Sequence, residues 1–194
     1  MKYTLLLLIF ITLQGFTTMA DDVIKHLKKR EGVKYESYND SLGKLTGGVG
    51  HLLTKEEQVL YPLGTKIPDS VVNAWLEKDL AKAKKAAQLQ MKSIPNADSN
   101  LENALIGVNF QLGENWYKDH KKTWKYLQSG DFEQASKEVY DSTWAKQTPV
   151  RVNDFSQAML KTQENIKVQQ YNQEKYMKNN QFEQIHNDIN KVFK

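Results

Sequence analysis

EGVKYESYNDSLGKLTGGVGHLLT, residues Glu31 to Thr54, is where the chain changes character. From Val33 to Leu53, aromatic and β-branched residues alternate with polar ones, and Asn39-Asp40-Ser41-Leu42-Gly43 and Gly47-Gly48 punctuate them. That texture predicts a small antiparallel sheet of short strands. The segments on either side carry helical periodicity instead, so the fold class is α+β and mainly helical. Gly47, Gly48 and Gly50 lack both the Lys-Ser/Thr ending and the dinucleotide spacing of a phosphate loop, which removes nucleotide binding.

On the N-terminal side, Asp22 to Arg30 reads as a short helix with Asp22 as N-cap, Val23, Ile24 and Leu27 on one face, and Gly32 as a left-handed stop. Glu31 is left at the helix C-terminus, where the macrodipole disfavours a negative charge. The position tends to raise a carboxyl pKa, as a general acid requires, and a solvated terminal glutamate is the plain alternative. Residues 1–20 have a lysine at position 2, an apolar run from Leu5 to Leu13 and Thr18-Met19-Ala20 ahead of Asp21-Asp22. This is the pattern of a cleavable secretory signal, with a retained anchor as the alternative; Thr12, Gln14, Thr17 and Thr18 dilute it as a membrane span.

On the C-terminal side, Thr54-Lys55-Glu56-Glu57 forms a capping box that opens a short helix ended by Pro62 and Gly64. Pro68-Asp69-Ser70 starts a long helix to about Met91, with Val72, Leu76, Leu80, Ala83 and Ala87 on one stripe, long enough to connect two lobes. After Pro95-Asn96-Ala97-Asp98, Leu101 to Gly113 is apolar nearly all round and is expected to be a central buried helix. Shorter helices are predicted around Lys121–Leu127 and Phe132–Tyr140, and another from Thr148-Pro149, with Thr148 as cap and Pro149 in the first turn. From about Tyr171 to Lys194, Phe182, Ile185, Ile189 and Val192 keep helical spacing in an Asn/Gln/Lys-rich background. A terminal amphipathic helix packing back on its own domain is the plain reading; docking on a partner or membrane surface is the sharper one.

With 194 residues, 40% hydrophobic content and a formal charge of +4, the chain has the composition of an ordinary globular protein. Without Lys2 the 27 basic residues become 26 against 23 acidic ones, near +3, compatible with an anionic wall polymer, although mere solubility is the more ordinary reading of so small a charge. The absence of cysteine removes disulfides, a thiol nucleophile and cysteine-ligated zinc. His26, His51, His120 and His186 form no ligand-spaced pair, and no Gly-x-Ser-x-Gly elbow is present, so no metal, no cofactor and no serine triad is expected. Carboxylate chemistry remains. Glu31 and Asp40, one at a helix end and one in the following turn, are able to flank a sugar as the pair of groups that glycoside hydrolysis uses. Purely structural roles for both stay open on these residues alone.

Glu31, Asp40 nine residues on and Thr46 six further, within REGVKYESYND and GKLTGGVGHLLT, resemble the Glu-Asp-Thr hairpin of the phage-type lysozymes, the endolysins of tailed bacteriophages. Phe110-Gln111-Leu112-Gly113 resembles the family's buried helix ending at the cleft. Trp144 with Gln147-Thr148-Pro149-Val150-Arg151 resembles its W-x-x-Q-T-P-x-R signature. The likeness spans about Asp21 to Gln170 and implies an N-terminal hairpin lobe (about 31–68), a connecting helix (about 69–91) and a larger all-helical lobe (about 92–170). Residues 171–194 remain as an amphipathic helical extension.

The resemblance implies that Glu31 is the general acid and that Asp40 and Thr46 position water on the opposite face, giving inversion. Arg151 would lie against Glu31, and His51 would pair with Asp79 as a strut. Tyr38, Leu52, Phe110, Gln111 and Trp144 would line or support the saccharide cleft. Arg30, Leu42 and Ala145-Lys146 depart from the better-known members and bear on subsite preference. The implied activity is a muramidase that cleaves the β-1,4 bond between N-acetylmuramic acid and N-acetylglucosamine of peptidoglycan, exported to the periplasm or outside the cell, monomeric, and without nucleic-acid partners. The rivals are a lytic transglycosylase and a non-catalytic peptidoglycan-binding protein.

Overall fold

The computed structural model describes Lys28 and residues 32–192, and the side chains of that stretch as far as His186. The signal-like segment 1–20, Glu31 and most of the predicted Asp22–Arg30 helix lie outside the described residues. Gly32 takes a φ of 74°, the left-handed conformation expected of it. Lys28, helical and three residues before Glu31, donates to Asn73 and Asp69.

The fold is mainly helical α+β, and the chain parts into two compact units after Ala81. The first holds a three-stranded antiparallel sheet in the order β1 (Lys34–Asn39), β2 (Leu45–Gly48), β3 (His51–Leu52). Helix α1 (Lys55–Leu60) follows, and α2 (Asp69–Met91) starts in the first unit and ends in the second. The second unit contains α3 (Ser99–Leu112), a single 3₁₀ turn (Trp116–Lys118), α4 (Lys121–Gln128), α5 (Phe132–Glu138), α6 (Thr143–Gln147) and α7 (Pro149–Val192).

Such short strands do not hold themselves together, so the sheet needs a backing. Its backing is α2. Val72, Trp75 and Leu76 of α2 are buried with Val49, Leu53 and Ile67 of the sheet and the approach to the helix. Gly47 is required by this packing: a Cβ there would lie 2.5 Å from Ile67 Cδ1 and 3.3 Å from the Trp75 ring. His51, opposite Gly47 across the strands, stacks on Trp75 with ring centroids 4.5 Å apart. Its Nδ1 lies 2.6 Å from Asp79 Oδ2, one helical turn beyond Trp75, and its Nε2 lies 3.0 Å from Glu57 Oε2.

Glu57 serves two elements at once. Its carboxylate accepts the Thr54 backbone N–H at 2.8 Å while the Thr54 hydroxyl accepts the Glu57 N–H at 3.3 Å, the expected capping box. The oxygen that closes the box, Oε2, is also the one that meets His51.

In the second unit, Leu101, Leu105 and Val108 of α3 join Trp116, Leu127, Phe132, Val139, Trp144, Val152, Phe155 and Met159 in one core. Two polar ties pass through or beside it. Gln90 and Asn109 exchange paired side-chain bonds of 2.9 and 2.8 Å, and Gln90 Oε1 also accepts from the Trp116 indole at 3.3 Å. Asp98 caps α3 through the Leu101 N–H and accepts from Thr162 and Asn165 of α7 at 2.6 and 2.8 Å. Burial alone would raise the Asp98 pKa; the bonds from Thr162, Asn100, Asn165 and Leu101 outweigh it and hold the carboxyl at about 2.

Three features differ from the sequence expectation. The 3₁₀ turn and α6 are additional, the latter started by the Ser142 hydroxyl accepting from the Ala145 N–H. Thr148 contributes its carbonyl to α7, accepting from the Arg151 and Val152 N–H groups, while its hydroxyl is turned to Gln111 and to the Trp144 carbonyl. The tail is no separate element: α7 runs 44 residues without a break, and every residue from Lys167 to His186 is exposed. Packing back on the domain is therefore not what those residues do. Among the described residues, the last of α7 packed against the core is Ile166.

Gly47→Ala is expected to lower stability by about 1–3 kcal/mol in urea denaturation, because the added methyl overpacks against Ile67 and Trp75. Ile67→Val, which deletes the clashing Cδ1, should recover most of that loss in the double variant. Equal and additive losses would show that the contact is not the cause.

The His51 clamp sets a pH window. Burial acts to lower the His51 pKa, but the hydrogen bonds from Asp79 and Glu57 and their charges override it and raise it above its ordinary 6.5. Burial likewise acts to raise Glu57, but the bonds from Thr54 and His51 lower it to about 2. A raised histidine stabilises the fold below its unfolded pKa and loses that contribution as pH climbs through the folded value. A lowered carboxyl stabilises above its unfolded pKa and loses it as pH falls. Both contributions are full between about pH 4.5 and 6.5. Asp79→Asn should be less stable than wild type at about pH 6, and the gap in urea midpoints should narrow towards pH 9. A gap independent of pH would mean that the His51 charge takes no part.

Candidate active site

The hairpin between β1 and β2 is built around Asp40. Its backbone N–H donates to the Lys44 carbonyl at 2.9 Å, its carbonyl accepts from Gly43 at 3.0 Å, and Gly43 takes a φ of 74° to turn the chain. The side chain adds a second layer: Oδ1 accepts from the Leu42 N–H at 2.9 Å and the Lys44 N–H at 2.8 Å. This is what an aspartate contributes to a turn, a side chain acting in place of backbone. One carboxylate oxygen thus holds the half-buried group in a fixed orientation.

Strand register then aligns three candidate residues. Tyr38 stands opposite Thr46, and Thr46 stands opposite Leu52, so the three side chains form one row across one face of the sheet. Gly47 and His51 point to the other face, against Trp75. Within the row, Thr46 is 4% exposed and Leu52 is 52% exposed. The Thr46 hydroxyl donates to the Lys44 carbonyl at 3.0 Å, which keeps it beside the turn that Asp40 organises. The Lys44 backbone accordingly bonds to both residues, through its N–H to Asp40 and its carbonyl to Thr46.

Tyr38 is half-buried, and the Lys34 ammonium sits 3.7 Å from the centre of its ring. Burial first, and the nearby Asp40 charge second, raise the Tyr38 pKa, so the phenol stays protonated.

In the second unit, Gln111 is the junction. Its Nε2 donates to the Thr148 hydroxyl at 3.1 Å, and its Oε1 accepts the Trp144 indole N–H at 3.1 Å. Gln111 therefore locks the end of α3 to α6 and to the residue before α7. Trp144 is 4% exposed and lies in the core of the second unit against Phe155 and the edge of His120. Phe110 and Arg151 are half-buried, the latter in the first turn of α7. Beside Trp144 and Gln147 a groove of about 670 Å³ opens, edged by Lys118, Lys121, Glu138 and Asp141.

Sequence reasoning missed Glu57 and Trp75. Both left a signal: Trp75 precedes Asp79 by one helical turn, and Glu57 is fixed by its capping box six residues after His51. Among the described residues no group of three or more His, Cys, Asp or Glu is arranged to hold a metal ion, and no helix is long and apolar enough to cross a membrane.

The sequence pattern of the phage lysozyme family matches residues 28–157, a span that takes in every candidate from Glu31 to Arg151 and stops before the exposed tail. Probable T4-type lysozyme 1 of Dictyostelium discoideum is 31% identical over 156 residues, covering 70% of this chain and 91% of that protein. Probable T4-type lysozyme 2 of the same organism is 31% identical over 147 residues, covering 66% and 86%. With a family pattern over most of its length and two relatives aligned almost end to end, the chain belongs to the phage lysozyme family and is a glycoside hydrolase.

Proposed function

We propose that the protein is a muramidase that hydrolyses the β-1,4 bond between N-acetylmuramic acid and N-acetylglucosamine in peptidoglycan, with inversion at the anomeric carbon. The observation that carries this reading is the Asp40 turn: a carboxylate held by two backbone N–H groups, with Thr46 tied to the same lysine backbone and flanked in register by Tyr38 and Leu52. A group that must hold water in one place benefits from such a fixed mount, because the orientation is set before substrate arrives. The bonds from Leu42 and Lys44 engage Oδ1, which supports Oδ2 as the oxygen that holds the water.

In this reading Glu31 gives its proton to the glycosidic oxygen as the C–O bond breaks. Water held by Asp40 and Thr46 attacks the anomeric carbon from the opposite face, and Asp40 takes the proton that the water releases. The family resemblance supports Arg151 as the ionic partner of Glu31. Tyr38 and Leu52 contact the saccharide beside the water-holding pair. Gln111 and Trp144 act by holding the floor of the helical unit, and His51 acts only through the sheet that it fastens. The pattern in residues 1–20 supports export, which would bring the enzyme to a wall substrate.

Clearing of purified peptidoglycan tests the roles. Glu31→Gln and Asp40→Asn should each lower the rate by about 10²–10⁴-fold. Asp40→Asn retains the oxygen that accepts from Leu42 and Lys44, so its unfolding midpoint should stay close to wild type and the loss should be one of chemistry. Product analysis should find reducing ends released as the α-anomer; 1,6-anhydro ends throughout would establish a transglycosylase instead. An unchanged rate for Glu31→Gln would remove Glu31 from catalysis.

A further inference from the structure

The family pattern ends at residue 157, yet α7 continues to Val192, and every residue from Lys167 to His186 is exposed. Leu160, Tyr171 and Phe182 follow one another at intervals of eleven residues, close to three helical turns, so they lie on one line along the helix. Ile185 falls on the same line one turn beyond Phe182. All four are exposed, from 38% for Leu160 to 73% for Phe182. Apolar residues exposed singly are ordinary on a protein surface; what distinguishes these is their common line and equal spacing, about 16 Å apart with charged residues between them.

The stripe is continuous with a groove. Where α5 and α7 meet, Tyr140, Gln157, Leu160 and Gln163 edge a depression of about 550 Å³. Leu160 is at once its apolar wall and the first residue of the exposed line.

We propose that this face of α7 pairs with the same face of a second copy of the chain, antiparallel, about a two-fold axis through Tyr171. The register is selected by the residues themselves. Phe182 and Leu160 are each eleven positions from Tyr171, so Phe182 of one copy meets Leu160 of the other at the mouth of the groove. Lys178 and Glu164 are each seven positions from Tyr171, on the same face, so opposite charges meet there. Both contacts occur twice by symmetry, as an isologous interface requires. The eleven-residue interval lets two nearly straight helices stay in contact with little supercoiling.

Two further charges bear on the register. Lys167 falls opposite Lys175, a repulsion, but Glu174 lies one position nearer the axis and the Lys167 charge already acts on Glu133 of α5. Glu164 bonds to Lys161 at 2.7 Å within its own helix, an exposed pair of small energy that yields readily to a second lysine. A lipid surface is a poorer fit, since Glu164, Glu174 and Glu183 alternate with the lysines along the tail rather than leaving a wholly basic face.

Sedimentation equilibrium of the full-length mature chain tests the pairing. Wild type should show twice the monomer mass at tens of micromolar, and Phe182→Ser, a change at an exposed position, should be monomeric with an unchanged helical spectrum. Glu164→Lys and Lys178→Glu should each weaken association by about tenfold, and the double charge swap should restore it. A wild type that stays monomeric at about ten times that concentration overturns the proposal, as does a dimer indifferent to Phe182→Ser and to the swaps. A monomer that binds vesicles of anionic phospholipid in a Phe182-dependent way would transfer the stripe to a membrane.

Discussion

The sheet that carries the candidate chemistry depends on a contact made from its back. Its strands have six, four and two residues. Such strands form too few ladder bonds to fix a turn that must hold a carboxylate still. The indole of Trp75 supplies the missing surface, with His51 lying on it and Gly47 leaving the space for it. His51 then exchanges hydrogen bonds with both Asp79 and Glu57 while 7% exposed, so that the stack is directional as well as apolar. A buried imidazole between two carboxylates is stable only when all three are placed together, which couples β3, α1 and α2 into one unit.

Because side chains alternate along a strand, fixing the back face fixes the front. With Gly47 and His51 against Trp75, Thr46 and Leu52 are obliged to face the other way, in line with Tyr38. The one-sidedness of the candidate site therefore follows from the packing of Gly47, His51 and Trp75 on the opposite face. The second unit uses the same economy: Gln111 spends both ends of its amide on Trp144 and Thr148, and so positions the residue before α7, whose first turn holds Arg151.

Much of this was legible from spacing. The capping box at Thr54, the Gly43 turn, the helix from Asp69 to Met91 and its buried stripe follow from local rules that operate over four to twenty residues. The proposed roles of Asp40 and Thr46 came from resemblance, because an aspartate in a turn is equally a structural residue, and here it is that as well. What was not legible is long-range pairing. Nothing near Gln90 announces Asn109 and Trp116, and nothing near Asp98 announces Thr162, sixty-four residues away. Polar residues on a buried helix face have partners that only the closed fold identifies. A tryptophan in a signature is as readily a floor as a wall, and the burial of Trp144 at 4% exposure is likewise visible only in the closed fold.

The long α7 shows how propensity and packing divide the work along one helix. Up to Ile166 its apolar positions are held by the core and by the Asp98 clamp, which bonds to both Thr162 and Asn165. Beyond that point about 26 residues extend a further ~39 Å with no core beneath them. An isolated helix of that length and an Asn/Gln-rich composition is marginal in water, so its first turns are stabilised by continuation from a helix already formed, which removes the cost of nucleation. Continuation explains why the segment is helical; it does not explain why Leu160, Tyr171 and Phe182 keep one line at equal intervals of eleven. A helix that meets another copy of itself about Tyr171 gives that spacing a use, because Phe182 and Leu160 then stand at the same distance on the two sides of the axis and meet twice.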